Sequence, residues 1–106
     1  MSKNITELNS KTFDKFVKED KVIVDFWAVW CGPCKIMSPI FEQASTEMKD
    51  KAKFGEVNVD NETELAQRFQ VMSIPTLIVF KNGQPVEQMV GVQQKDQLKK
   101  KLEAAR

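Results

Sequence analysis

The chain has no histidine, and that absence removes several chemistries at once. Cysteine hydrolases need an imidazole beside the thiol, so that class is excluded. Structural zinc wants four ligands and catalytic zinc three plus water. Two cysteines and no histidine reach such a count only in a site shared between two chains. Charge of one sign is not in excess either: 16 Lys and Arg stand against 15 Asp and Glu, a formal net charge of +1. No strongly basic face follows, which argues against nucleic acid held by bulk charge. The densest basic group, Lys99-Lys100-Lys101, lies in a helical pattern and reads as a solvated helix face. Long hydrophobic runs are missing: nothing approaches the ~20 apolar residues of a membrane span. The start, Met1 to Glu7, has no apolar core of a secretory signal. The expectation is a soluble, cytoplasmic protein without nucleic-acid or membrane partners, a compartment that a leader removed before this numbering would reverse. No repeat, low-complexity tract, linker or Gly-rich nucleotide-binding motif is visible.

What is present is one domain's worth of chain. With 106 residues, 42% of them hydrophobic, residues 1–106 suffice for a single domain with a real core. Ile5 to Leu8 reads as a short strand. Asn9 or Ser10 then caps a helix with Phe13, Phe16 and Val17 on one face. Val22 to Trp27 is nearly continuous apolar sequence, the pattern of a central strand covered on both sides. Met37, Ile40, Phe41, Ala44 and Met48 repeat at helical spacing, so a helix runs from the cysteine region to about Lys49, with a kink expected at Pro39. Phe54 to Val59 is a third strand. Asn61 and Glu64 suggest a capping box opening a third helix, with Leu65, Ala66 and Phe69 apolar. Thr76 to Phe80 is a strand, Asn82-Gly83 a hairpin signal, and a fifth strand continues to about Val90. Leu98 and Leu102 mark a last helix, opened by the weak cap Gln94. The order is βαβαβαββα, an α/β fold whose mixed central sheet has helices on both faces.

Both cysteines lie in Trp30-Cys31-Gly32-Pro33-Cys34, between a strand and a helix. Cys-x-x-Cys in that setting reads as a redox motif, a pair that alternates between dithiol and disulfide. Exchange needs a thiolate to attack and a second thiol to resolve the mixed disulfide. Cys31 is the candidate nucleophile, because unpaired N–H groups and the dipole at a helix start favour negative charge. Cys34, one turn inside, is expected to be more buried and to resolve. Pro33 suits the first helical turn, and Gly32 leaves room for a substrate backbone. A helix start contributes roughly 0.3–1 kcal/mol and up to ~2, about one unit of thiol pKa. A larger drop would want a cation such as histidine between the cysteines. The pair is therefore expected to be moderately activated and to lean toward reduction. Lys35 adds little if, as expected in a first turn, it points to solvent. Two plainer readings compete: the shared zinc site, and a structural disulfide, which across so short a loop stabilises little. In a reducing cytosol a disulfide is more often transient and catalytic.

The tract Asp25-Phe26-Trp27-Ala28-Val29-Trp30-Cys31-Gly32-Pro33-Cys34-Lys35, with Ile74-Pro75-Thr76 and the Asn-Gly hairpin, resembles the thioredoxin family from Ile5 to Leu102. The resemblance implies the thioredoxin fold and a protein dithiol–disulfide oxidoreductase that works through Cys31 and Cys34. The Gly-Pro spacer resembles that of reducing members. It further implies disulfide-containing proteins as substrates, a separate thioredoxin reductase as regenerator, a monomer, and no metal or bound cofactor beyond the Cys31–Cys34 disulfide. Pro75 would be cis and face the cysteines, where the bare sequence suggests an ordinary trans proline opening a strand. The backbone of Ile74 would then pair with an extended substrate segment. Trp30, Gly32, Pro33, Ile74, Pro75, Val90, Gly91 and Val92 would form an apolar docking patch, although composition alone places such residues in a core. Asp25, interrupting an apolar strand, would lie buried beneath the cysteines and exchange a proton with Cys34; the plainer reading is a buried Asp satisfied by hydrogen bonds.

Three positions depart from common family patterns. Many bacterial members pair the buried Asp with a lysine two strands along, where this chain has Glu56. Either Asp25 and Glu56 are close, so that one titrates high, or Glu56 turns to solvent; in both cases Asp25 is expected to have a raised pKa without a lysine partner. Val29 replaces an acid found in some relatives, and Gln94 is the second-rate cap already noted. A rival from another class is a binding module that uses the apolar patch without redox chemistry.

Overall fold

The computed structural model describes residues 4–105. The elements follow the expected order: β1 Ile5–Glu7, α1 Phe13–Val17, β2 Lys21–Trp27, α2 Gly32–Glu47, β3 Lys53–Asn58, α3 Thr63–Arg68, β4 Thr76–Lys81, β5 Gln84–Val90 and α4 Lys95–Ala104. The sheet runs β1-β3-β2-β4-β5. β3 is parallel to both β1 and β2, whereas β4 is antiparallel to β2 and to β5. β2 is thus an inner strand, and Val22 to Phe26 are all buried, as a near-continuous apolar run requires.

Strand alternation divides the core in two. Val22, Val24 and Phe26 join Phe13, Val17, Leu65 and Phe80 beneath α1 and α3. Ile23 joins Met37, Phe41, Phe54, Leu98 and Leu102 beneath α2 and α4. Asp25, two residues after Ile23, belongs by alternation to the α2 face, the side on which the cysteine helix lies. On the opposite face, Gly55 lets β1 and α1 approach: a Cβ there would lie 2.7 Å from Leu8 Cδ1 and 3.0 Å from Phe16 Cε2.

At the ends of elements, side-chain chemistry departs in places from the sequence pattern. The hairpin is as expected, with Asn82 at φ 52° and Gly83 at φ 87°, the left-handed pair of a type I′ turn. Neither Asn9 nor Ser10 is the N-cap of α1, which is Thr12 without a side-chain cap; Asn9 closes the turn before it, its Oδ1 accepting from the N–H groups of Lys11 and Thr12 at 2.9 and 3.1 Å. The capping box at Asn61 does not form. Asn58 closes that turn instead, its Oδ1 accepting from Asp60 N–H and its carbonyl from Asn61 and Glu62, so α3 starts at Thr63 without a side-chain cap. Gln94 is better supported than expected, because Gln97 Oε1 accepts its N–H at 3.2 Å. α2 continues through Pro39 to Glu47.

Candidate active site

The site is built where β2 feeds α2. Cys31 is the N-cap of α2, with extended backbone at φ −84° and ψ 114°, and proline occupies the first turn. That backbone turns the Cys31 side chain back over the helix start, where Sγ accepts the Cys34 N–H at 3.1 Å. Cys31 and Cys34 are joined as a disulfide with their Cα atoms 5.2 Å apart. The expectation that Cys34 is the more buried is wrong: Cys31 is 3% exposed and Cys34 4%. The two cysteines form one buried cluster with Ala28, and Trp27, Val59 and Ile74 pack against it. Lys35 is exposed, as expected.

Ile74-Pro75 is cis and buried at Pro75. The Ile74 carbonyl oxygen lies 3.7 Å from Cys31 Sγ. Gly91 N–H donates to the Pro75 carbonyl at 2.8 Å, and Val90 pairs with Thr76, so the end of β5 flanks the proline. Gly91 takes φ +90°, a conformation glycine adopts without strain, and the chain turns there toward α2, where Gln93 N–H meets Met37 Sδ at 3.3 Å. Trp30, Val90 and Val92 are 68%, 59% and 37% exposed; Gly32 and Pro33 are exposed, and Ile74 and Gly91 half-buried. Apolar side chains that composition assigns to a core therefore stand at the surface near the disulfide.

Two neighbours were not anticipated. Asp60 Oδ2 accepts the Trp30 indole N–H at 2.8 Å, holding an exposed ring from a loop thirty residues away, a pairing no local pattern announces. Met72 is 93% exposed in the loop before Ile74; it belongs to no periodic run, so nothing in the pattern marked it.

Beneath the disulfide lies a cavity of about 400 Å3, lined by Asp25, Trp27, Ala28, Cys34, Phe41, Glu42 and Glu56 among others. Asp25 is 3% exposed, and its Oδ1 has no hydrogen-bond partner among the described residues, nor has Trp27 Nε1. The satisfied-Asp reading therefore does not hold for that oxygen. Glu56 sits directly beside Asp25 in the β2–β3 ladder and faces the same cavity, so the solvent-pointing alternative is set aside. Burial, and then the Glu56 carboxylate, push Asp25 well above the usual carboxylate range. Burial followed by Glu7 raises Glu56 as well. No lysine hydrogen-bonds or ion-pairs with Asp25 among the described residues. Nor, among the described residues, do three or more His, Cys, Asp or Glu side chains converge as metal ligands.

The thioredoxin family model matches residues 4–104. Thioredoxin of Alicyclobacillus acidocaldarius is 46% identical over 96 residues, covering 90% of this chain and 91% of that protein. Thioredoxin of Staphylococcus aureus is 43% identical over 99 residues, covering 93% and 95%. Among solved structures, a Halobacterium salinarum thioredoxin variant superposes with a TM-score of 0.88 at 33% identity, covering 98% of this chain and 93% of that one. Malassezia sympodialis thioredoxin gives 0.85 at 35% identity, covering 93% and 88%. With a mixed five-stranded sheet, a Cys31–Cys34 disulfide at the start of α2 and relatives of this likeness, the chain belongs to the thioredoxin family and is a dithiol–disulfide oxidoreductase acting on protein disulfides.

Proposed function

We propose that Cys31 attacks and Cys34 resolves. The supporting observation is Cys31 Sγ at the α2 N-cap, accepting the Cys34 N–H beside the exposed apolar surface. In the dithiol form the same N–H and the helix dipole favour a Cys31 thiolate. That thiolate attacks one sulfur of a substrate disulfide, forming a mixed disulfide and releasing the other sulfur as a thiolate, which takes a proton from water. Cys34 then gives its proton to Asp25 and attacks Cys31 Sγ. The Cys31–Cys34 bond forms, the bond to substrate breaks, and the second substrate thiolate leaves and is protonated. Two electrons pass from the protein to the substrate. Asp25 suits the task because it shares a cavity with Cys34 and its raised pKa makes it a base strong enough to hold that proton.

The substrate segment lies across Trp30, Gly32, Pro33, Ile74, Val90, Gly91 and Val92 and pairs with the backbone of Ile74 beside Pro75. Lys35 supports the site only as a nearby positive charge. Thioredoxin reductase is the usual regenerator in this family. Residues 1–106 act as one domain, as a monomer, in the cytoplasm; no helix among the described residues is long and apolar enough to cross a membrane. Insulin-disulfide reduction with dithiothreitol separates this reading from a pure binding module. Wild type accelerates the reaction and Cys31→Ser does not; equal rates would defeat the enzyme mechanism.

A further inference from the structure

The sheet carries a row of carboxylates that the two-cysteine mechanism does not use. Glu7 on β1 pairs in register with Glu56 on β3, and Glu56 with Asp25 on β2. Adjacent strands are about 4.8 Å apart, so residues in register on one face are immediate neighbours. Glu7 shares its face with Ile5, Glu56 with Phe54 and Asp25 with Ile23, and those three apolar residues all pack in the core under α2. The row is therefore on the cysteine-helix face. It runs from exposed Glu7 through half-buried Glu56 to buried Asp25. Beyond Asp25 the row continues with the uncharged Leu77 and Met89. From α2, Glu42 and Lys35 line the same cavity.

Elsewhere this protein pairs many of its carboxylates: Glu19 with Lys53, Asp14 with Arg68, and Glu47 with Lys95 and Lys99. Among the described residues, none of Glu7, Glu42, Glu56 or Asp25 has a side-chain ion pair or hydrogen bond. Like charges directly across a ladder are destabilising, and local conflicts of this kind gather at working sites. Asp25, Glu56 and Glu42 are polar groups in an otherwise largely apolar cavity that is roomy enough for water, while Glu7 stands outside it, next to Glu56 in the ladder.

We propose that Glu56 is a positioning residue for the resolving step, the proton exit that takes over from Asp25 the proton released by Cys34 and returns it to solvent past Glu42 and Glu7. The inference rests on the reading of Asp25 as the acceptor. It adds no redox change: one proton moves from sulfur to Asp25, to Glu56 and to water. Because Asp25 and Glu56 are coupled, their protons come off in two steps that belong to the pair.

The test is a single-turnover reaction of reduced protein with excess insulin, followed by tryptophan fluorescence from about pH 5 to about pH 9. Acid quenching and mass spectrometry count the mixed disulfide at Cys31. In wild type, resolution rises with pH over a broad, two-step profile. In Glu56→Gln it becomes a single step with its midpoint about one unit lower, since coupling of that size separates two steps, while mixed-disulfide formation is unchanged. Glu56→Asp restores the broad profile. A Glu56→Gln profile superimposed on wild type overturns the proposal, as does a Glu56→Asp profile matching Glu56→Gln. Asp25→Asn separates the two levels. Unchanged resolution in that variant defeats Asp25 as acceptor; slowed resolution there with no effect of Glu56→Gln removes only the role of Glu56.

Discussion

Replacing Asp25 with asparagine should stabilise the protein, by an amount that grows with pH. Asp25 is 3% exposed, and Oδ1 has no hydrogen-bond partner among the described residues. Burial first, and the Glu56 charge second, raise its folded pKa well above the usual carboxylate range. In the unfolded chain the same carboxyl titrates near ~3.9. A raised folded pKa means that the folded state holds its proton longer, so stability falls as pH rises from the unfolded value toward the folded one. The slope in that window approaches about 1.4 kcal/mol per pH unit for one group. Below the unfolded value wild type and Asp25→Asn are both neutral at this position and differ little. At neutral pH wild type carries the cost of ionising, or of staying protonated against solvent, and the variant does not. The amide keeps the cost of an unsatisfied buried polar group, so that contribution cancels; what it removes is the ionisation linkage, about 1.4 kcal/mol for each pH unit by which folding raises the pKa, and a gain on the order of 1–3 kcal/mol at neutral pH is expected. That is a large share of the roughly 5–15 kcal/mol total typical of a domain.

Urea or guanidinium unfolding of the oxidised proteins, repeated across pH, measures the difference directly. The difference curve should be near zero in acid, climb through the weakly acidic range and level off above the folded pKa of Asp25. A flat difference, or a variant less stable at neutral pH than wild type, would refute a desolvated, like-charge Asp25.

Other perturbations probe the fold and the surface. Gly55→Ala places its Cβ 2.7 Å from Leu8 Cδ1 and 3.0 Å from Phe16 Cε2. With Leu8 only 2% exposed, overpacking should cost about 1–3 kcal/mol in denaturant unfolding; a neutral result would mean that β1 and α1 shift freely. Phe80→Ala empties a place where the ring meets Phe13 at 5.7 Å and Phe69 at 5.4 Å, for a loss of about 3–5 kcal/mol, with insulin reduction unchanged at temperatures where it stays folded. Trp30→Ala, at a ring 68% exposed, should leave stability nearly unchanged and raise KM for insulin by about tenfold, the size of a modest hot spot, with kcat less affected. A lowered kcat at unchanged KM would move Trp30 from docking to chemistry.

Much of this architecture was legible because apolar periodicity and turn chemistry pointed the same way. The run from Val22 to Trp27 could only be covered on both faces, and Asn82-Gly83 supplies the positive φ pair its hairpin needs. The cysteine pair was readable because a helix start and a two-residue spacer are local features. Readings that depended on side chains meeting from distant elements were less secure. Asn61 lost its capping role to Asn58, a competition within one turn that composition cannot rank. The cysteines are similarly buried in a cluster against which Ile74 and Val59 pack, neither of which is close to them in sequence. The bond from Trp30 to Asp60 and the exposure of Met72 belong to tertiary placement and have no periodic signal. The neighbouring of Asp25 and Glu56 could be suspected from strand order, but only register distinguishes a shared cavity from a solvent-facing Glu56.

The central claim is that Cys31 attacks and Cys34 resolves. Its most direct measurement is the covalent adduct formed by Cys34→Ser with a disulfide-bonded substrate such as insulin, located by peptide mass mapping. The account predicts a stable mixed disulfide at Cys31, and a much smaller yield at Cys34 when Cys31→Ser is treated in the same way. Absence of an adduct in Cys34→Ser, or equal adducts in the two variants, would contradict it.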